Sequence, residues 1–176
     1  VTALHDDAVG TLTRWSADGQ AALREAFLGF LAARPDAMAR SCAPGHLTAS
    51  TVVLDADGDH VLLTLHPRVG RWLQLGGHCE DDPSLADAAL REAVEESGIP
   101  RLVLDPEPVH LDVHALTCSL GVPTRHFDVR YVAVAPAGAE AVRSEESHDL
   151  RWWPVDALPD GDLAELVAAA LTRHRG

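Results

Sequence analysis

The sequence predicts an α/β protein: an α/β/α sandwich around a mixed sheet, preceded by a helical extension. Three observations carry this. Strand-like runs stand on both sides of one central amphipathic helix at 84–97. A turn sequence, "DADGD", separates two aliphatic runs, which signals a hairpin and argues against a purely parallel sheet. An amphipathic helix lies towards each end of the chain, and this order of elements calls for helices on both faces of the sheet. At 176 residues, 47% of them apolar, the chain is sized for one domain with a substantial core. We divide it into a helical extension, 1–44, and a main domain, 45–176.

Residues 17–33 read as a helix, with Leu23, Phe27, Phe30 and Leu31 recurring on one face and Pro35 closing it. "APG" at 43–45 is a break. The runs 48–54 and 60–65 form the hairpin strands. "DADGD" also resembles a calcium loop, but its flanks are strand-like and no Glu stands at the twelfth position. "RWLQL" at 71–75 is a short strand leading into Gly76 and Gly77. The helix at 84–97 is capped either by Asp82, with Pro83 in its first turn, or by Ser84, with Asp87 reaching back; Gly98 is the stop. Residues 101–118 hold one or two strands broken by "DPEP", 125–135 alternates as another, and 147–155 is the last. "DLAELVAAALTRHR" closes the chain as a helix that buries Leu163, Leu166, Val167, Ala170 and Leu171.

The formal charge is −13, and all 14 basic residues are Arg. Such a surface excludes a nucleic-acid polymer as partner, because polymer binding rests on basic patches. A small phosphorylated ligand remains compatible if a cation bridges it to the acidic groups. Cys42, Cys79 and Cys118 form no CxxC pair, so neither a disulfide framework nor a structural zinc site is expected. No basic-then-apolar leader and no run of membrane-spanning length is read, so the expectation is a cytoplasmic protein with no membrane partner. Abundant Ala and Arg without Lys point to a GC-rich bacterial source.

The central helix carries "REAVEES". A helix turns about 100° per residue, so Glu92, Glu95 and Glu96 share one stripe. Like-charged neighbours on a helix cost about 0.2–0.5 kcal/mol per pair. A divalent cation reverses the sign: Mg²⁺ takes hard oxygen ligands, neutralises phosphate oxygens and acidifies a bound water, whose proton a remaining Glu can accept. An isolated acidic helix face, by contrast, is usually only solvated.

The surrounding pattern decides between these readings. From Gly77, the chain follows G-x5-E-x7-R-E-U-x-E-E-x-G-U, with U a bulky aliphatic: Arg91-Glu92, Ala93, Glu95-Glu96, Gly98 and Ile99 fall in register. This resembles the Nudix box, and "DLRWWPVDAL" is similar to the late strand and turn of Nudix hydrolases. Two positions depart from the pattern. Pro83 replaces the first box Glu, and Ala93 is small for its place. In the family that Glu pairs with the box Arg; here Asp82, Glu80 or Asp87 is available to Arg91.

The resemblance implies a Nudix-type sandwich and an Mg²⁺-dependent pyrophosphohydrolase, with Mn²⁺ as substitute, that cleaves the diphosphate linkage of a nucleoside diphosphate linked to X. It implies Glu92, Glu95, Glu96 and the carbonyl of Gly76 as metal ligands, Arg91 as the residue that orients the glutamates, and Glu92 or a glutamate outside the box as base. For the latter, Glu146 in "SEES" is the first choice and Glu145 the reserve. Two other functions share the fold: a nucleotide-binding or regulatory module that has lost turnover, suggested by Pro83, and a prenyl diphosphate isomerase, for which the box lacks the Cys and Trp context. The extension either completes the substrate pocket or builds a homodimer interface.

Further candidates come from the residues themselves. Arg68 and Arg71 precede the glycines and could reach a phosphate, or stay surface arginines. A zinc pair of His78 and Cys79 is disfavoured because neighbours on a strand face opposite ways. His126, Asp128 and Arg130 share a strand face by period two, lining either a cleft or a solvated surface. Trp72, Trp152 and Trp153 are read chiefly as core.

Overall fold

In the computed structural model, which describes residues 2–16, 19–67, 69–117, 121, 123–145 and 147–176, the described part of 1–44 holds two helices rather than the one expected. The first, α1 (Ala3–Arg14), was not read from the sequence. Thr2 caps it by accepting from the His5 amide at 3.2 Å, and Leu4, Ala8 and Leu12 are buried at intervals of four. Asp6 and Asp7 break up that narrow apolar seam along the chain, so the helical period is weak in the sequence. The second, α2 (Ala21–Ala33), begins later than the expected start at 17; Ala17 and Asp18 lie outside the described residues. Gln20 stands before it and uses its side chain elsewhere, donating to the carbonyl of Leu111 and accepting from the Leu111 amide, both at 2.8 Å. A side-chain amide thus pairs the backbone of a strand edge. His5 joins the two helices through its Nε2 and the carbonyl of Leu31, 3.0 Å apart.

The sheet is built from β1 (His46–Leu54), β2 (His60–Leu65), β3 (Trp72–Leu73), β4 (Leu75–His78), β5 (Val103–Leu104), β6 (His110–Thr117), β7 (Pro123–Val134) and β8 (Asp149–Pro154). Between β4 and β5 comes α3 (Leu85–Ser97), and α4 (Ala164–Arg175) ends the chain after a short 3-10 turn. The expected strand at 71–75 is interrupted at Gln74. The backbone order runs β3-β2-β1-β7-β5, with β4 on β1, β6 on β7 and β8 on β2. The mixed character is as expected: β1 and β7 are parallel over nine pairs from His46↔His126 to Leu54↔Val134, and the other pairings are antiparallel.

Strand β1 is buried along its whole length, so both its faces are covered. Its odd residues face α3: Val53 packs with Leu62, Leu75, Ala93 and Ala133. Leu47 and Ala49 continue that face under α1 and α2, with Leu85, Ala88, Ala89 and Tyr131. Its even residues Val52 and Leu54, with Val61, Leu63 and Val132, meet Leu163, Leu166, Val167 and Ala170 of the last helix. The three layers follow from period two in the strands meeting period 3.6 in the helices. Truncating a fully buried anchor such as Leu85 to Ala would cost about 2–5 kcal/mol.

The capping alternatives for α3 resolve to Ser84, whose hydroxyl accepts from the Asp87 amide at 3.0 Å and meets the Asp87 carboxylate at 2.6 Å. Gly98 ends the helix in the left-handed region. The seam buried against the sheet is Leu85, Ala88, Ala89, Ala93 and Ser97, with Leu90 and Val94 only partly buried at its margin. The small Ala93 therefore fits: an alanine seam brings the helix close enough for Thr51 Oγ1 to donate to the carbonyl of Ala89 at 3.0 Å.

Candidate active site

Strand β4 is two residues of glycine between a buried leucine and a histidine, and it brings the site together. Gly76 adopts φ +154°, and a Cβ there would sit 2.4 Å from Cβ of Ser50. Only glycine allows this approach of β4 to β1. Its amide donates to Glu96 Oε2 at 3.0 Å. At Gly77 a Cβ would fall 2.6 Å from Oε2 of Glu92, so the missing side chain leaves the space that Glu92 occupies. Glu92 is 14% exposed and Glu95 61%, and all three carboxylates rise from one stripe of α3 as the spacing predicted.

Arg91 organises this stripe. Its Nε and Nη2 donate to the two oxygens of Asp82 at 3.0 and 2.9 Å, a bidentate pair. Nη2 also donates to the carbonyl of His78 at 3.0 Å, and Nη1 to Glu92 at 2.9 Å and Glu95 at 3.3 Å. The Arg91 hydrogen bond holds the Asp82 carboxyl below the usual carboxylate range. Of the three acids proposed to stand in for the first box Glu, the structure selects Asp82. Asp87 is taken up by Ser84, and Glu80 contributes its amide to Asp82 at 3.1 Å. A carboxylate one position before Pro83 thus reaches the guanidinium that the box Glu would hold.

On the other face of the sheet lies a second polar assembly. Asp128 is 3% exposed and accepts from Thr48 Oγ1 (2.9 Å), Ser50 Oγ (2.7 Å), Gln74 Nε2 (3.3 Å) and Arg130 Nε (2.9 Å). Burial alone would push its carboxyl up; Arg130 and Ser50 outweigh that and hold it low. Arg130 also reaches Asp112 at 2.9 Å. Of the two readings of His126, Asp128 and Arg130, the structure therefore rejects the solvated face. Beside them His46, His78 and His126 converge, with ring centroids 4.9 to 5.1 Å apart. Burial pushes His46 down, His78 to about 4 and His126 to about 3.

Several other expectations are settled by placement. Arg71 is not available to a phosphate in this arrangement: it pairs with Asp160 and Asp162 ahead of the last helix, both within 2.7 Å. Arg68, Cys118 and Glu146 lie outside the described residues, while Glu145 is exposed in the turn before β8. Trp72 and Trp153 meet edge to face at 5.2 Å in the core beneath the last helix, and Trp152 packs on the opposite side. Cys79 points away from His78 into the core under α1 and α2, and its burial pushes the thiol up to about 12. The sequence reading missed Thr48, Ser50, Gln74, Asp112 and the convergence of His46 with His78 and His126. Thr48, Ser50, Asp112 and the three histidines meet their partners across strands, and Gln74 reaches in from the break between β3 and β4, so only strand register could reveal them.

The NUDIX domain model matches residues 44–173 of this chain. The chain belongs to the Nudix family. The match spans the glycines, Asp82, Arg91 and the glutamate stripe of this Nudix hydrolase. It is 29% identical over 120 residues to the oxidized purine nucleoside triphosphate hydrolase of Mus musculus, covering 64% of this chain and 70% of that protein. It is 30% identical over 112 residues to the Nudix hydrolase YvcI of Bacillus subtilis (strain 168), covering 64% and 68%. Among solved structures, a NUDIX-family hydrolase from Clostridium perfringens superposes with a TM-score of 0.56 at 24% identity, covering 73% of this Nudix hydrolase and 97% of that chain.

Proposed function

We propose that this Nudix hydrolase cleaves the diphosphate linkage of a nucleoside diphosphate linked to X, with Mg²⁺ as its ion and Mn²⁺ as substitute. The observation that carries the reading is the glutamate stripe of Glu92, Glu95 and Glu96 around an Arg91 whose orientation Asp82 fixes. The kinship with a nucleoside triphosphate hydrolase from mouse supports a nucleotide as the substrate class.

The residues fit such an ion. Hard oxygen donors suit Mg²⁺, the space at Gly77 admits the Glu92 carboxylate, and the Gly76 amide steadies one oxygen of Glu96. Glu92, Glu95, Glu96 and the Gly76 carbonyl would hold it. A bound divalent ion supplies charge neutralisation at the diphosphate and a more acidic water. The chain's own work is positioning: Arg91 keeps Glu92 and Glu95 oriented, and Glu92 is the base in this reading, with Glu146 or Glu145 as the alternative. The polar face around Asp128 and Arg130 is the proposed wall of the substrate cleft. Residues 1–44 are proposed as an extension of the 45–176 domain, and the cytoplasm as the compartment. No helix among the described residues is long and apolar enough to cross a membrane.

Asp82 weighs against the reading as a module without turnover, because it supplies the carboxylate that Pro83 does not. The deciding experiment is a phosphate-release screen over nucleoside triphosphates, sugar nucleotides and dinucleotides, with Mg²⁺ and Mn²⁺ compared. Metal-dependent turnover of a diphosphate-containing nucleotide is expected. Ligand binding without hydrolysis across the panel would replace the enzyme reading with the binding-module reading.

A further inference from the structure

Three histidines reach one point of the sheet from three strands. His46 opens β1 and lies directly across from His126 on parallel β7. His78 ends β4, paired with Thr48, two residues along from His46 on the same face of β1. Their centroid separations of 5.0, 4.9 and 5.1 Å make a nearly equilateral triangle. One ring nitrogen from each lies within 4.8 Å of the other two. Among the described residues, Nε2 of His78, Nε2 of His126 and a ring nitrogen of His46 are buried without a hydrogen-bond partner, the Cys42 backbone standing near the His46 ring.

That combination has a chemical meaning. Buried ring nitrogens without partners are unfavourable, and native structures rarely leave several together. A shared proton satisfies at most two lone pairs, and a water molecule can donate to two. A transition-metal dication accepts from all three, and neutral imidazole is its preferred nitrogen ligand. Tetrahedral zinc at 2.0–2.1 Å from each nitrogen needs nitrogens about 3.3 Å apart, so the rings would close by roughly 1 Å or more. His78 and His126 are each only partly buried.

The charge is also arranged for it. The buried Asp128 lies two residues from His126 on the same strand face. Its two oxygens are occupied by Thr48, Ser50, Gln74 and Arg130. It is therefore placed to offset a nearby positive charge without being a ligand, a common role for carboxylates around metal sites.

We propose that His46, His78 and His126 form a tri-imidazole site for a transition-metal dication of the zinc class, with a fourth position left for water or a ligand, on the face of β4 opposite the glutamate stripe. The two sites differ in chemistry. All-nitrogen ligation suits zinc, cobalt or nickel and is poor for magnesium, whereas the carboxylates favour the reverse. The inference stands independently of the proposed hydrolysis.

The test is metal binding by the chelator-treated full chain. Zn²⁺ and Co²⁺ are titrated calorimetrically and by visible absorption, in excess Mg²⁺. We expect about one Zn²⁺ or Co²⁺ per chain, a cobalt spectrum of four- or five-coordinate nitrogen ligation, and a rise in Tm with Zn²⁺. Glu95→Gln and Glu96→Gln should leave this binding intact. His78→Gln and His126→Gln should weaken it at least about tenfold, with unchanged circular dichroism showing that the variants fold; His78, at the end of a short strand, is the safer of the two. Zn²⁺ binding that survives in both folded His variants would overturn the site, as would binding that Glu96→Gln abolishes. Failure of wild-type protein to bind Zn²⁺ or Co²⁺ at micromolar concentrations would mean that the three rings hold only water.

Discussion

Asp82 holds Arg91 through two parallel hydrogen bonds of 3.0 and 2.9 Å, one residue away from where the Nudix pattern places its glutamate. Asp82 is 9% exposed at its side chain and Arg91 27%, so solvent screens the pair only partly. Removing the acid leaves a guanidinium free to turn away from Glu92 and Glu95. Asp82→Ala should lower kcat about 10–100-fold, the usual effect of losing a group that orients metal ligands. Pro83→Glu alone should change little, because Asp82 already fills the role. Introduced into the Asp82→Ala background, Pro83→Glu should recover much of the loss; kcat and KM for the four proteins check this.

The same pair gives a pH dependence with a definite sign. The folded-state pKa of Asp82 lies below its unfolded value, so its contribution to stability is fully present above the ordinary carboxylate pKa of about 4. The contribution is lost as pH falls through the folded value. The difference in Tm between wild type and Asp82→Asn should be constant from neutrality down to about pH 5 and shrink below about pH 4. A difference that grows with acidification would contradict the assignment.

Glu95→Gln and Glu96→Gln test the glutamate stripe. Glu95 is largely exposed, and its replacement should alter stability by no more than about 0.5 kcal/mol. Activity should nevertheless fall by about 100-fold or more if the charge holds an ion at the diphosphate. Steady-state kinetics against denaturant unfolding separates the two effects. Wild-type rates in both variants would remove the catalytic role.

Gly76→Ala should destabilise the fold by roughly 2–4 kcal/mol. The added methyl would meet Ser50 at 2.4 Å, and the φ of +154° disfavours any side chain. Urea unfolding measures the loss. The variant should also be inactive, because relieving that clash moves β4 off β1 and carries the residue 76 amide away from Glu96.

Asp128→Ala leaves Arg130 with Asp112 as its remaining ion-pair partner among the described residues and removes the acceptor shared by Thr48, Ser50 and Gln74. Breaking a buried ion pair by removing one partner costs about 3–5 kcal/mol. Asp128→Asn, which keeps an acceptor, should cost less. Thermal melts of the two variants rank them.

The primary structure alone determined the sandwich, the central helix and the glutamate stripe, because each is written in local periodicity. Glu92, Glu95 and Glu96 must share a side of any helix, and a turn between two aliphatic runs makes a hairpin wherever it lies. Local chemistry also named the alternatives, Asp82 or Ser84 as cap and Asp82, Glu80 or Asp87 as partner of Arg91. The tertiary structure chose among them, since which acid reaches Arg91 depends on how the loop after β4 lies against α3. The assemblies that sequence could not reach are the ones made by strand register. His46, His78 and His126 are far apart along the chain and meet only because β1 pairs with both β4 and β7. The same holds for Thr48, Ser50 and Gln74 around Asp128. A single chain encodes helical faces within a few residues, whereas contacts across a sheet come into existence only when distant strands align.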